Sequence, residues 1–278
     1  MKFAKILFVL FLLLHASHAF AFDFVNPVGG RSAAMGQTSV CSRGLWAMQN
    51  NAAGMSNLKQ IGFGCYYENR WMLDATAFKS AVFALPVNFG VIGTSFNQFG
   101  YDNYNENKIG LAYSRAFSPF LEIGIQLDYI FLNYGDIYEK QNAFTFEFGL
   151  QSQITNKLRL GTYIFNPTNV KTQSLNKERL PVVMRFGLAY EFAKGFLCEC
   201  EVEKNTSKEG MSLRCGLEYE AVENLYLRVG VQTDENILSF GIGYSLKFVQ
   251  INIGAQMHEV LGASLQGGMV FNIGKVRP

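Results

Sequence analysis

From about Gln60 onward, large apolar residues recur at every second position of this chain. Phe144, Phe146, Phe148 and Leu150 alternate with Thr145, Glu147 and Gly149. Ile123, Ile125, Leu127 and Tyr129 alternate with Gly124, Gln126 and Asp128, and Leu213, Cys215, Leu217 and Tyr219 with Arg214, Gly216 and Glu218. A period of two marks β-strands with one apolar and one polar face. Such strands either bury their apolar faces in a soluble sandwich or turn them to lipid around a polar lumen.

The pattern predicts fourteen strands, near 61–69, 75–86, 87–97, 107–117, 120–131, 142–152, 157–165, 181–191, 196–203, 210–219, 223–231, 237–245, 247–256 and 262–272. Most have about the 9–11 residues that a tilted strand needs to cross a bilayer. The connections sort by parity. One set is very short, at 86–88, 118–119, 155–156, 193–195, 221–222 and 246. The other includes the polar tracts 98–106, 133–141, 166–180, 204–209 and 232–236. Alternating short turns and longer loops are expected of an up-and-down membrane barrel, whereas Greek-key crossings in a sandwich do not require them. The expected fold is therefore all-β, an antiparallel transmembrane β-barrel of about fourteen strands. A secreted soluble β protein is the competing reading.

The amino terminus narrows the choice. Lys2 and Lys5 precede an apolar run from Ile6 to Leu14, followed by small residues around Ala19 and Ala21. This reads as a signal peptide over 1–21, cleaved after Ala19 or Ala21. The run is shorter than the roughly 20 apolar residues of a spanning helix. An exported chain without such a helix can reside in lipid only as a closed barrel, because no other fold satisfies its backbone there. The expected location is the bacterial outer membrane, with outer-membrane lipid as a partner. Residues 22–60, rich in Gly, Ala, Ser and Asn and lacking period two, read as a hatch or plug before a barrel over 61–278. A lumen of fourteen strands is wider than side chains alone can fill.

Composition changes this picture little. The formal net charge is +2, and loss of Lys2 and Lys5 with the leader brings it near zero, so no nucleic-acid partner is suggested. The 25 Phe, 13 Tyr and 27 Gly suit aromatic girdles and a tight inner wall. Five cysteines are an odd count for an oxidising compartment. Cys198 and Cys200 share a face with Phe196, Val202 and Cys215. A metal or redox pair would need further ligands or better geometry, so buried thiols acting as small hydrophobes are expected.

The polar face should carry Glu122, Gln126, Asp128, Glu147, Arg159, Arg185, Glu191, Glu199, Glu201, Arg214, Glu218 and Arg228. Arg185 lies beside the strand of Glu199 and Glu201, which lies beside that of Arg214 and Glu218, with Arg228 on the next. These charges form either a translocation path or a mutually neutralising ladder that anchors the plug. Charges out of water require partners. Catalysis is not expected. Beyond the leader the only His is His258, no GxSxG elbow exists, and neither a metal site nor any cofactor is suggested.

The segment before the barrel carries recognisable words. Gly29, Gly30, Arg31, Ala34 and Gly36 are followed by Trp46 and then by Asn51, Ala52, Ala53 and Gly54. This resembles the start of the PorV/PorQ family of outer-membrane proteins, relatives of the FadL-type transporters. Arg31, Ala34, Gly36, Asn51 and Gly54 match the family pattern. Gln37 replaces its second Gly, and Ala52 its Pro. The resemblance implies a fourteen-stranded barrel with an amino-terminal hatch. It also implies an accessory role in type IX protein secretion or surface attachment, with secretion-machinery proteins or cargo as partners. The alternative is a FadL-like transporter of small hydrophobic compounds, with Phe24, Met35, Leu45, Trp46 and Met48 lining a pocket or merely packing the hatch. A purely structural barrel is a third reading.

Overall fold

The computed structural model describes residues 25–133, 135, 141–172 and 179–274. The expected leader over 1–21, its expected cleavage point and Phe24 lie outside the described residues. Period two produces the expected result. The strands are β1 (Ile61–Asn69), β2 (Ala77–Val87), β3 (Gly90–Tyr101), β4 (Tyr104–Ser118), β5 (Leu121–Asn133), β6 (Gln141–Gln153) and β7 (Leu158–Phe165). They continue as β8 (Val183–Ala193), β9 (Phe196–Asn205), β10 (Ser212–Val222), β11 (Leu225–Gln232), β12 (Ile237–Ser245), β13 (Val249–His258) and β14 (Gly262–Ile273). Each pairs antiparallel with its sequence neighbours, and β14 returns to β1 with Ile61 opposite Ile273. The chain is a fourteen-stranded antiparallel transmembrane β-barrel, a closed form that fits an outer membrane.

The connections alternate. One end of the barrel has the tight turns 88–89, 119–120, 154–157, 194–195, 223–224 and 246–248. The other has most of the longer segments, among them 70–76, 166–182 and 206–211. The polar tract 98–106 is shorter as a loop than its composition predicts, since only 102–103 separates β3 from β4. The reason is inversion of the usual rule. Asn97, Glu106 and Lys108 face a buried interior, so polar residues here mark strand rather than loop.

The outer face is apolar. Phe83, Phe96, Leu111, Leu127, Phe186, Val229, Ile242 and Ile253 all stand exposed, and Phe144 is 66% exposed. An exposed apolar belt of this extent is stable only against lipid. Phe89, Phe117, Phe120, Phe192 and Phe248 ring the short-turn end, as interfacial aromatics do. Cys198, Cys200 and Cys215 lie on this outer face and are half-exposed rather than buried. That corrects the expectation of buried thiols, because on a barrel the apolar face is the outside.

Candidate functional site

The interior is occupied by the amino-terminal segment. It holds two short helices, α1 (Gly30–Ala34) and α2 (Ala47–Asn50), and a 3-10 turn at Ala52–Met55. Almost every residue from Val25 to Met55 is buried. Glycines on inward-facing wall positions admit it. An added Cβ at Gly230 would stand 2.0 Å from the Gly36 amide nitrogen and 2.1 Å from the Met35 carbonyl carbon. Gly216, directly opposite Gly230, would meet the Met35 carbonyl oxygen at 2.5 Å. On the facing wall, Gly149 would meet Asn51 Oδ1 at 1.9 Å.

This close fit accounts for four of the five motif positions. Ala34 lies against Gly241, and Gly36 (φ 67°) lies against the Val231 backbone. The Asn51 side chain donates to the carbonyl of Val40 at 2.7 Å and, at longer range, to those of Leu150 and Thr162. Gly54 lies so near the Ser42 carbonyl oxygen that a Cβ would come within 2.2 Å. Gly230→Ala should therefore cost about 1–3 kcal/mol by forcing backbone apart. The urea midpoint of the protein refolded in lipid vesicles measures this. Gly267→Ala, with nothing within 4 Å, should leave the midpoint nearly unchanged.

Charged wall residues meet the segment. Arg31 Nε lies 2.9 Å from Glu218 Oε2, its Nη2 3.0 Å from Glu199 Oε1, and its Nη1 donates to Ser42 Oγ at 2.7 Å. Burial works against the Arg31 charge, but Glu199 and Glu218 outweigh it and raise its pKa above the ordinary range. Glu201 Oε2 accepts the amides of Ser39 and Val40 at 2.9 and 2.8 Å. Arg159 Nη1 donates to the Cys41 carbonyl at 2.7 Å, and Arg43 pairs with Glu122.

The six ladder residues are brought together in two groups. Arg185 contacts Glu203 at 2.6 Å and Glu201 at 3.6 Å, while Arg214 contacts the same two at 3.0 and 3.5 Å. Arg228 pairs with Glu218 at 2.6 Å and donates to Asn252 Oδ1 at 2.7 Å, and Glu199 joins this second group through Arg31. Glu191, expected inside, is exposed at the short-turn rim, where β8 ends in a register shift. Two members escaped sequence reasoning. Glu203 continues the period of Glu199 and Glu201 but sits at the predicted end of its strand. Lys108 lies 2.7 Å from Glu147 and 4.0 Å from Asp128, all three nearly fully buried.

The loop-end half of the lumen is not uniformly polar. Ile130, Leu132, Phe165, Leu180 and Val183 are buried there with Val25. Across the lumen, Tyr66, Phe78 and Phe99 cluster with Val28, and Trp46 packs edge-on to Tyr66 at 5.9 Å. Leu45 and Met48 instead pack lower, against Val82, Ala84 and Val91, and Met35 lies against Gly216 and Gly230. The residues expected to line one pocket are thus divided among three places. Among the described residues no group of three or more His, Cys, Asp or Glu could hold a metal ion.

No protein-family model and no curated protein matches the chain. Solved structures do. The toluene transporter TodX of Pseudomonas putida aligns with 88% of this chain and 98% of its own, at 12% identity and a TM-score of 0.64. The monoaromatic hydrocarbon channel CymD aligns with 92% of this chain and 100% of its own, at 13% identity and 0.66. The toluene transporter TbuX of Ralstonia pickettii covers 88% and 97%, at 12% and 0.64. The fold is that of these hydrocarbon channels. All three are named as channel or transport proteins.

These matches correct the assignment to the PorV/PorQ family, and with it the reading as a type IX secretion accessory and the secretion partners. The physical reason lies in the five motif positions. Ala34, Gly36, Asn51 and Gly54 are set by close packing of a segment inside a barrel, and Arg31 by its pairing with wall carboxylates, demands common to any barrel filled in this way. They do not discriminate one filled barrel from another.

Proposed function

We propose that the chain is an outer-membrane channel of the FadL type for small apolar compounds, with monoaromatic hydrocarbons as the first candidates. The observation that carries this is the apolar lining of the loop-end half of the lumen. Ile130, Leu132 and Phe165 face inward on one side, and Tyr66, Phe78 and Phe99 on the other. A water-filled pore has a polar interior. Aromatic and aliphatic side chains there give an apolar solute somewhere to leave water. The naming of TodX and TbuX as toluene transporters and of CymD as a monoaromatic hydrocarbon channel supports the same reading. The short-turn end would face the periplasm, following the usual asymmetry of such barrels.

In this reading residues 22–60, described from Val25 onward, are the plug, and the ladder of Arg185, Glu199, Glu201, Arg214, Glu218 and Arg228 holds the wall and pins the plug through Arg31. A solute would exchange its surface for plug side chains, among them Trp46. With Trp71→Phe, Trp46 is the one remaining Trp of the two in the chain. Toluene added to this variant in detergent should change Trp46 emission saturably, while glucose should not. No saturable change with toluene, or an equal change with glucose, would remove the proposal.

A further inference from the structure

Cys200 in β9 and Cys215 in β10 are register partners on the outer face of the barrel. The ladder between these strands can be counted from its end. The Glu220 amide donates to the Gly195 carbonyl, so 195 and 220 form a hydrogen-bonded pair. Pair types alternate along an antiparallel ladder. Cys200 and Cys215, five positions further on, therefore form a non-hydrogen-bonded pair. In such pairs the Cα atoms are only about 4.5 Å apart and the side chains lie close. That separation is within the range a disulfide spans, about 4.4–6.8 Å. The two sulfurs stand 2.9 Å apart.

Cys198 stands differently. It lies two residues along the same strand, with its sulfur 4.0 Å from that of Cys200. Its register partners are Tyr190 and Leu217, so no thiol lies across from it. Cys41 is buried among the amino-terminal segment, and Cys65, on β1, faces Ala81 and Met269. A metal does not suit the trio. Leu188 and Val231 flank Cys200 and Cys215 on the neighbouring strands, and thiolates there would be charged groups facing hydrocarbon.

We propose that Cys200 and Cys215 are joined by a disulfide that staples β9 to β10, and that Cys41, Cys65 and Cys198 remain thiols. The proposal rests on export to an oxidising compartment but not on what the channel carries. The co-reactant is a protein dithiol–disulfide oxidoreductase in its disulfide form. One cysteine thiolate attacks a sulfur of that disulfide and forms a mixed disulfide. The second thiolate then displaces the oxidoreductase, leaving a Cys200–Cys215 bond. Two electrons and two protons pass to the oxidoreductase, which leaves as a dithiol. Lipid covers this face once the barrel is inserted, so the bond forms beforehand. It closes the β9–β10 hairpin and replaces two thiols in the lipid-facing wall with one apolar bond.

The test uses the full chain extracted from its own membrane, denatured in the presence of N-ethylmaleimide. Three cysteines should be alkylated before reduction and all five after it. The unreduced trypsin digest should contain the peptide carrying Cys198 and Cys200 linked to the one beginning at Cys215. The link should persist in Cys198→Ser and vanish in Cys200→Ser. Alkylation of all five cysteines without reduction would overturn the proposal. So would a link that persists in Cys200→Ser, which would assign the bond to Cys198.

Discussion

Replacement of Lys108 by Met is expected to lower the stability of the barrel by about 3–5 kcal/mol, the usual cost of removing one partner from a buried ion pair. The lysine ammonium lies 2.7 Å from Glu147 and 4.0 Å from Asp128, inside a wall where all three are nearly inaccessible. The variant keeps most of the side-chain volume and removes only the charge. Two carboxylates would then share a site without a cation in contact. Asp128 would retain the hydrogen bond from Gln126 at 2.8 Å, and Glu147 would lose its closest donor. The urea midpoint in lipid vesicles measures the loss. Adding Glu147→Gln to Lys108→Met should restore part of it by removing one stranded charge. If the single variant unfolds at the wild-type midpoint, Lys108 is not paired as described.

Arg31→Ala should act on the segment rather than the wall. It removes bonds to Glu218, Glu199 and Ser42 together. Arg228 still neutralises Glu218, while Glu199 is left with the Ser42 hydroxyl at 3.3 Å. Hydrogen bonds to charged groups contribute about 1.5–3 kcal/mol each. The Arg31 side chain is 23% exposed and water replaces part of each lost bond, so a total of about 2–3 kcal/mol, below the sum of three such bonds, is expected. Each 1.4 kcal/mol is tenfold, so the released population should rise about 30- to 150-fold. Cys41 reports it directly, being buried in the same segment. Its alkylation rate in the vesicle-embedded barrel should rise by that factor. Arg31→Lys should fall between, since an ammonium cannot fork between two carboxylates. An unchanged Cys41 rate would mean that the segment is held elsewhere.

Sequence reading went furthest where geometry is local. Alternation in β5, β6 and β10 is visible residue by residue, and from it follow the strands, their number and the two kinds of connection. It weakened where the inner face changes character. Gln126, Asp128, Ile130 and Leu132 share one face of β5, but the last two are apolar and Tyr129 and Phe131 stand between them. A run of four apolar residues has no readable inside. The apolar lining at the loop end, which carries the functional proposal, was hidden by that ambiguity. Register is likewise non-local. Glu199 and Glu201 could be placed beside Arg185 and Arg214, but the choice of Glu203 as a shared partner, and of Cys200 as the partner of Cys215, appears only once β9 is aligned with its neighbours.

The channel reading is tested most directly by initial uptake of labelled toluene into intact cells with an undamaged outer membrane, with and without this chain. The account predicts a saturable, chain-dependent component of the rate for toluene and none for labelled glucose. Equal toluene rates with and without the chain, at matched expression of folded barrel, would contradict it.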